Sequence, residues 1–406
     1  MFKEITGGVC AAAGFKANAA FCGVKGKGPE KPDVALILSE QECAAAAVYT
    51  LNRVKAAPLY VTMEHLENGS AWGIVVNSGC ANACCPRGHE NAQAMCEAAA
   101  QASGREMGDF AVASTGVIGQ VLNIAAIEKG LPTIAAGLSE DGSGLAAEAI
   151  MTTDRFKKEI ALSLELGGKE VRLGAIAKGS SMIHPNMGTM LCFITTDCAI
   201  THQLLEEALR EVTARTFNRV VVDGDSSSND MCVALANGMA GNPLIEWKDE
   251  DFQKFTRALE RVCTHMARAI AADGTGSTKL VTCQVRNARS EEGAERLARS
   301  VVSSDLIKAS MSSCDPHWGR VMIAMGCSKA PFRPEHVDIC FRSATGEALA
   351  CVQGEAAPLD MGRAREILNQ KEVVIDVDLH EGEDSAVCWG CDLTAEYIQI
   401  NGNYRT

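Results

Sequence analysis

The residues best suited to covalent chemistry lie in one stretch near the middle of the chain, from Lys178 to Asp197, centred on the pair Gly188-Thr189. A threonine hydroxyl is a weak nucleophile until a base takes its proton. One solution uses the threonine's own α-amine, released when the preceding peptide bond is cut. The cut can be self-made. If the Gly188-Thr189 peptide is held strained, the hydroxyl attacks the Gly188 carbonyl, the acyl group shifts from nitrogen to oxygen, and water hydrolyses the ester. Glycine at 188 allows the twist this needs. Read locally, Thr189 is also simply a residue that opens a strand, where threonine is common.

Three other groups have types and spacing that suggest chemistry. Ala111 to Gly119 reads as a short apolar strand running into a glycine-rich turn, either a plain tight turn or one whose backbone N–H groups face an anion. Val220 to Asp230 is a strand followed by an acidic, hydroxyl-rich loop. Its residue types could ligate a hard cation, but it lacks the spacing of a calcium loop, and Asp, Ser and Asn are also what a helix N-cap needs; the cap is the favoured reading and no metal is expected. Two local cysteine groups stand out, Cys80 with Cys84 and Cys85, and Cys388-Trp-Gly-Cys391; the second has redox or zinc spacing but lacks a second well-spaced pair. They read as reduced, mostly buried thiols.

These groups need elements to hold them. Residues 170–177 form a strand that delivers Lys178, a loop of Gly, Ser, Pro and Asn follows, and Thr189 to Thr196 is a continuous apolar strand closed by Asp197. Upstream, Val34 to Leu38 and Pro58 to Thr62 read as strands around an alanine-rich bend. Gly73 to Gly79 is a further strand, and helical spacing covers Glu90 to Ala102. Ile124 to Ala136 and Gly144 to Thr152 read as helical or turn-rich. Downstream, His202 to Thr216 and Asp251 to Ala272 are helices, the latter closed by Asp273 to Thr278. Strands from Lys279 to Val285, a helix from Glu291 to Ser303 and a final strand at Glu396 to Asn401 complete the pattern.

Composition narrows the class. A chain of 406 residues predicts two or three domains, and 47% apolar with 22% charged residues is ordinary for a globular protein. No apolar run approaches the roughly 18 to 20 residues of a membrane span. Glu4 and the glycines that follow interrupt the start where a signal peptide needs an apolar run, so a cytoplasmic location is expected, and the 18 cysteines are expected to stay reduced. A net charge of -13, without clustered Lys and Arg, argues against nucleic acid.

The stretch Lys178-Gly-Ser-Ser-Met-Ile-His-Pro-Asn-Met-Gly-Thr-Met-Leu191, together with Ile194-Thr-Thr-Asp197, resembles the signature of the ornithine acetyltransferase family, the bifunctional glutamate N-acetyltransferases. Further motifs match in the family's order: Asn52 to Pro58, Asn77-Ser-Gly79 with Ala81-Asn-Ala83, Ser114 to Gly119, Met151-Thr-Thr-Asp154, Phe217-Asn-Arg219, Asp223-Gly-Asp225 with Asn229-Asp230, Trp318-Gly-Arg320, and Ile400-Asn401 through Tyr404 to Thr406. The resemblance spans essentially the whole chain. It implies an α+β fold, an αββα-type layered sandwich of the self-cleaving threonine-nucleophile kind shared by the aminopeptidase/ornithine acetyltransferase superfamily, with a smaller α+β C-terminal domain.

The resemblance further implies self-cleavage between Gly188 and Thr189. The α chain would be 1–188 and the β chain 189–406, of which about 189–285 completes the catalytic region and about 286–406 forms the C-terminal unit. Thr189 would carry an acetyl group from N2-acetylornithine to glutamate in a ping-pong cycle of arginine biosynthesis. Thr115 and Gly116 would form the oxyanion hole, and Thr152 or Thr153, Lys178, Thr189, Thr275, Asn401 and Thr406 would bind substrate. No cofactor is implied, and acetyl-CoA as a second acetyl donor is left open. The expected assembly is α2β2.

One departure bears on the substrate. The family's usual Asp-Gly-Glu-Gly-Ala-Thr-Lys is here Asp273-Gly-Thr-Gly-Ser-Thr-Lys279, so a hydroxyl at Thr275 replaces a carboxylate that would pair with an ammonium. Milder differences are Cys80 for asparagine, Ser181 for glycine and Gly188 for alanine. Three readings stand at this point: the acetyltransferase, with an altered amino-acid specificity if Thr275 changes recognition; an aminopeptidase or amidase on the same self-cleaving scaffold; and an uncleaved protein that only binds an amino acid.

Overall fold

The computed structural model describes residues 2–24, 31–184 and 190–403. Its largest element is a nine-stranded mixed sheet. From one edge the order is Lys3–Ile5, Lys158–Leu166, Lys169–Lys178, Leu191–Thr196, Met231–Ala236, Val34–Tyr49, Ser70–Cys80 and Phe110–Val117, with Phe15–Ala20 also paired to Val34–Tyr49.

The 16-residue strand Val34–Tyr49 belongs to two halves of this sheet. Its first part pairs with Phe15–Ala20 and Ser70–Cys80, its last part with Met231–Ala236, and a register shift falls between Leu38 and Cys43. The alanine-rich segment expected to bend is therefore strand, because pairing on both sides overrides the weak strand preference of alanine.

Side-chain alternation builds the layers. Ala175, Ala177, Cys192, Ile194, Cys232 and Ala234 face a core shared with helices His202–Arg215 and Glu250–Ala272. Their neighbours Ile176, Leu191, Phe193, Met231 and Val233 face the opposite way. There they share one core with Ile37, Ile74, Val76, Ala111 and Ala113 of the other half. The outer side of that second half, including Leu36, Val75 and Val112, packs on helices Gly88–Ser103 and Ile124–Ala136. The succession is helix, sheet half, sheet half, helix, the expected αββα sandwich.

A seven-stranded sheet forms the second unit, in the order Glu355–Ala356, Gly346–Val352, Asp338–Ser343, Glu372–Asp378, Leu280–Ala288, Asp384–Cys391 and Val220–Val221. Its core includes Val281, Cys283, Leu297, Val301, Phe341 and Ile375.

Two segments differ from their sequence reading. Pro58 to Thr62 lies in a helix, Ala57–His65, where proline in the first turn loses no intrahelical bond. Glu396 to Asn401 lies in the helix Ala395–Asn403, started by the Thr394 hydroxyl, which accepts the Glu396 N–H at 3.1 Å. The short apolar runs suggested strands because periodicity over so few residues does not separate the two states. All eighteen cysteines are free thiols. Among the described residues no helix is long and apolar enough to cross a membrane and no cluster of His, Cys, Asp and Glu suits a metal ion.

Candidate active site

Three elements converge on one cleft. The strand Lys169–Lys178 ends with Lys178 in register opposite Leu191, so the described residues on both sides of the 185–189 segment meet here. The edge strand Phe110–Val117 brings Thr115 and Gly116. The loop after helix Ser143–Ala149 brings Thr152 and Thr153. Thr115, Gly116, Thr152, Thr153 and Lys178 line the cleft together with Ile118, Ser181, Met182, Ser227 and Asn229.

The Lys178 ammonium, 2% exposed, donates to the Thr115 hydroxyl at 3.4 Å and lies 4.0 Å from the Asp154 carboxylate. Since Thr115 accepts that bond, its own proton is available to a second acceptor. Gly116 has φ +130°, and a Cβ there would stand 2.5 Å from the Gly79 carbonyl carbon on the paired strand. Only glycine fits that close approach.

Behind the cleft runs a buried charge network. Asp154 accepts the Gly179 N–H at 2.8 Å, the Thr152 N–H at 3.1 Å and the Lys158 ammonium at 2.7 Å. Lys158 also donates to Asp273 at 2.6 Å, and Arg155 holds Asp273 at 2.9 Å and the Ser277 carbonyl at 2.7 Å. Burial alone would raise the Asp154 pKa, but Lys178, Lys158 and the Gly179 N–H outweigh it and hold the carboxyl down to about 2.

Helix Glu250–Ala272 delivers Asp273. Its N-cap Asp249 accepts the Phe252 N–H at 2.9 Å, and Phe252, Phe255, Leu259, Val262, Met266 and Ile270 form its buried stripe.

Not every expected site residue enters the cleft lining. Thr275 is buried beside it, its hydroxyl donating to the Ser180 carbonyl at 3.2 Å and its N–H to the same oxygen at 2.7 Å. Asn401 is exposed, and its amide donates to the Tyr397 carbonyl of its own helix at 3.0 Å. That helix nonetheless docks on the Thr275 loop, since a Cβ on Gly276 would come within 2.5 Å of the Tyr397 nitrogen. Gly188, Thr189 and Thr406 lie outside the described residues.

The acidic loop after Val221 is no helix cap, because a strand and not a helix follows it at Met231. Asp223 instead accepts the Met182 and Ile183 N–H groups at 2.7 and 2.9 Å, and Asp230 accepts the Met190 N–H at 2.9 Å. Asp230 is fully buried, and among the described residues its second oxygen has no hydrogen-bond partner. The nearby Thr50 hydroxyl gives its proton to the Ser227 carbonyl at 3.1 Å. Burial therefore pushes the Asp230 carboxyl well above the usual carboxylate range. Asn229 was visible in sequence only as part of a motif. Its amide ties the Ala81 and Ser114 carbonyls at 2.7 and 2.8 Å, fixing the strand that carries Thr115.

With this geometry in place, the comparisons with known proteins are specific. Residues 16–406 match the model of the ArgJ family. The chain is 48% identical over 403 residues to the arginine biosynthesis bifunctional protein ArgJ of Symbiobacterium thermophilum, covering 99% of both chains. It is 44% identical over 394 residues to the protein of the same name from Caldanaerobacter subterraneus subsp. tengcongensis, covering 97% of each. A crystal structure of arginine biosynthesis bifunctional protein ArgJ from Bacillus halodurans matches with 38% identity and a TM-score of 0.50, covering 52% of this chain and 98% of that chain.

Proposed function

The chain belongs to the ArgJ family, and we propose that it is a glutamate N-acetyltransferase that moves an acetyl group from N2-acetylornithine to glutamate in arginine biosynthesis. The observation that carries the site assignment is the register of Lys178 with Leu191 beside Thr115. It brings a cation, a hydroxyl donor and the glycine turn of Gly116 to the point where the described chain resumes after the 185–189 segment.

In this reading Thr189 is the nucleophile, released by cleavage after Gly188. Its hydroxyl attacks the acetyl carbonyl of N-acetylornithine, and its α-amine takes the hydroxyl proton and returns it to the leaving amine. The tetrahedral oxyanion is held by Thr115 and Gly116. Glutamate then takes the acetyl group from the threonine oxygen. Lys178 attracts the substrate's α-carboxylate, with Thr152, Thr153, Asn401 and Thr406 completing the binding set. Thr275, turned to the Ser180 carbonyl, supports the loop more than it offers a counter-ion. No cofactor takes part.

Cleavage into 1–188 and 189–406 would leave the chains interlocked. Strands Leu191–Thr196 and Met231–Ala236 of the second piece are inserted between Lys169–Lys178 and Val34–Tyr49 of the first. Residues of about 189–285 then complete the catalytic unit and about 286–406 form the C-terminal one, with the strand Leu280–Ala288 joining them. An α2β2 assembly fits two such cleaved chains.

Denaturing mass spectrometry tests the maturation: two fragments meeting at 188/189, replaced by one full-length chain in Thr189→Ala, are expected. Incubation with N-acetylornithine should yield N-acetylglutamate when glutamate is present and little free acetate when it is absent. Acetate release independent of glutamate would instead identify an amidase. A parallel reaction with acetyl-CoA decides whether it serves as a second donor.

A further inference from the structure

We propose that Asp154 is the positioning residue for recognition of the substrate carboxylate. It fixes the Lys178 ammonium at the cleft and ties three substrate-facing segments to one buried frame.

Asp154 has no exposed side-chain surface, and both its oxygens are engaged. One accepts Lys158 and the Gly179 N–H, the residue next to Lys178. The other accepts the Thr152 N–H and stands 4.0 Å from the Lys178 ammonium. That last separation is too long for a hydrogen bond but short for opposite charges in a buried site. The ammonium is thus held between Asp154 and the Thr115 hydroxyl, 3.4 Å away.

Through Lys158 the same carboxylate reaches Asp273, at the start of the loop that carries Thr275. Lys158 touches both carboxylates within 2.7 Å and Arg155 spans Asp273 and the Ser277 carbonyl, whereas Lys178 lines the cleft. Its ammonium is the charge that the acetyl-transfer reading sets against the substrate's α-carboxylate. Asp154 sets where that charge stands without touching substrate itself.

The inference rests on the acetyl-transfer reading and is tested on the cleaved, active protein. Turnover of N-acetylornithine is compared with that of N-acetylputrescine, which lacks the α-carboxylate. Asp154→Asn should reduce the ratio of the two kcat/KM values about tenfold, mostly by raising KM for N-acetylornithine. Lys178→Met should abolish the preference, and the double variant should match Lys178→Met. An unchanged ratio in Asp154→Asn, or an equal loss on both substrates, would overturn the proposal, because a merely structural role weakens both alike. Should Asp154→Asn not fold, Asp154→Glu, which keeps the charge but displaces it, takes its place: a reduced ratio supports the proposal and a wild-type ratio overturns it. Absence of transfer by the wild-type protein would overturn the acetyltransferase reading itself and this proposal with it.

Discussion

Lys158 and Asp273 form an ion pair of 2.6 Å in which neither side chain reaches solvent, and it joins the first residue of one strand to the end of a 23-residue helix. Ions buried this deeply are tolerated only while each keeps its partners.

Lys158→Met removes the cation shared by Asp154 and Asp273 and leaves both carboxylates in the interior. A loss of about 3 to 5 kcal/mol is expected, read as a lower urea midpoint with little change in slope. A change below about 1 kcal/mol would show that the pair behaves as a surface ion pair and that the network does not frame the site.

Asp230 gives the opposite pH dependence from a salt-bridged acid. Its folded-state pKa is raised, so its favourable contribution is complete below the ordinary carboxylate value and is lost as pH rises toward the folded one. Asp230→Asn keeps an acceptor for the Met190 N–H and removes the titration. Urea unfolding from pH 4 to 8 should show the wild type losing stability relative to the variant as pH rises. Parallel curves would contradict the assignment.

Gly116→Ala introduces a Cβ at φ +130°, against the backbone of Gly79. Strain of about 2 kcal/mol or more is expected from the disfavoured backbone and the overlap, with loss of most transfer activity. Gly119→Ala is the control. It also has positive φ, +80°, but a Cβ there meets nothing within 4 Å, so about 1 kcal/mol is expected. Equal melting temperatures for the two variants would remove the steric argument.

Thr115→Val keeps the shape of the side chain and deletes the hydroxyl that Lys178 orients. If that hydroxyl stabilises the oxyanion, kcat falls about 100- to 1000-fold while KM for N-acetylornithine changes little. A variant with raised KM and unaltered kcat would move Thr115 from transition-state stabilisation to substrate binding.

Much of this protein was legible in its sequence because the informative features are local. Strand periodicity around Leu191 to Thr196, the capped amphipathic helix from Glu250 and the glycine turn at Gly116 depend on neighbours a few residues away. The motif Lys178 to Leu191, with its companions along the chain, carried the family and through it the reaction.

Tertiary structure decided what depends on distant partners. The alanine-rich segment is strand because Met231–Ala236 pairs with it, and Pro58 to Thr62 is helix because Leu59 and Val61 are buried on both sides of it. Asp223 and Asp230 serve backbone N–H groups 40 or more residues away. The frame made by Asp154, Lys158 and Asp273 joins residues up to 119 positions apart, and only folding brings those charges out of water and within hydrogen-bond reach. Sequence identified the residue types that can do this chemistry, and the buried electrostatics of the fold determine where their charges stand.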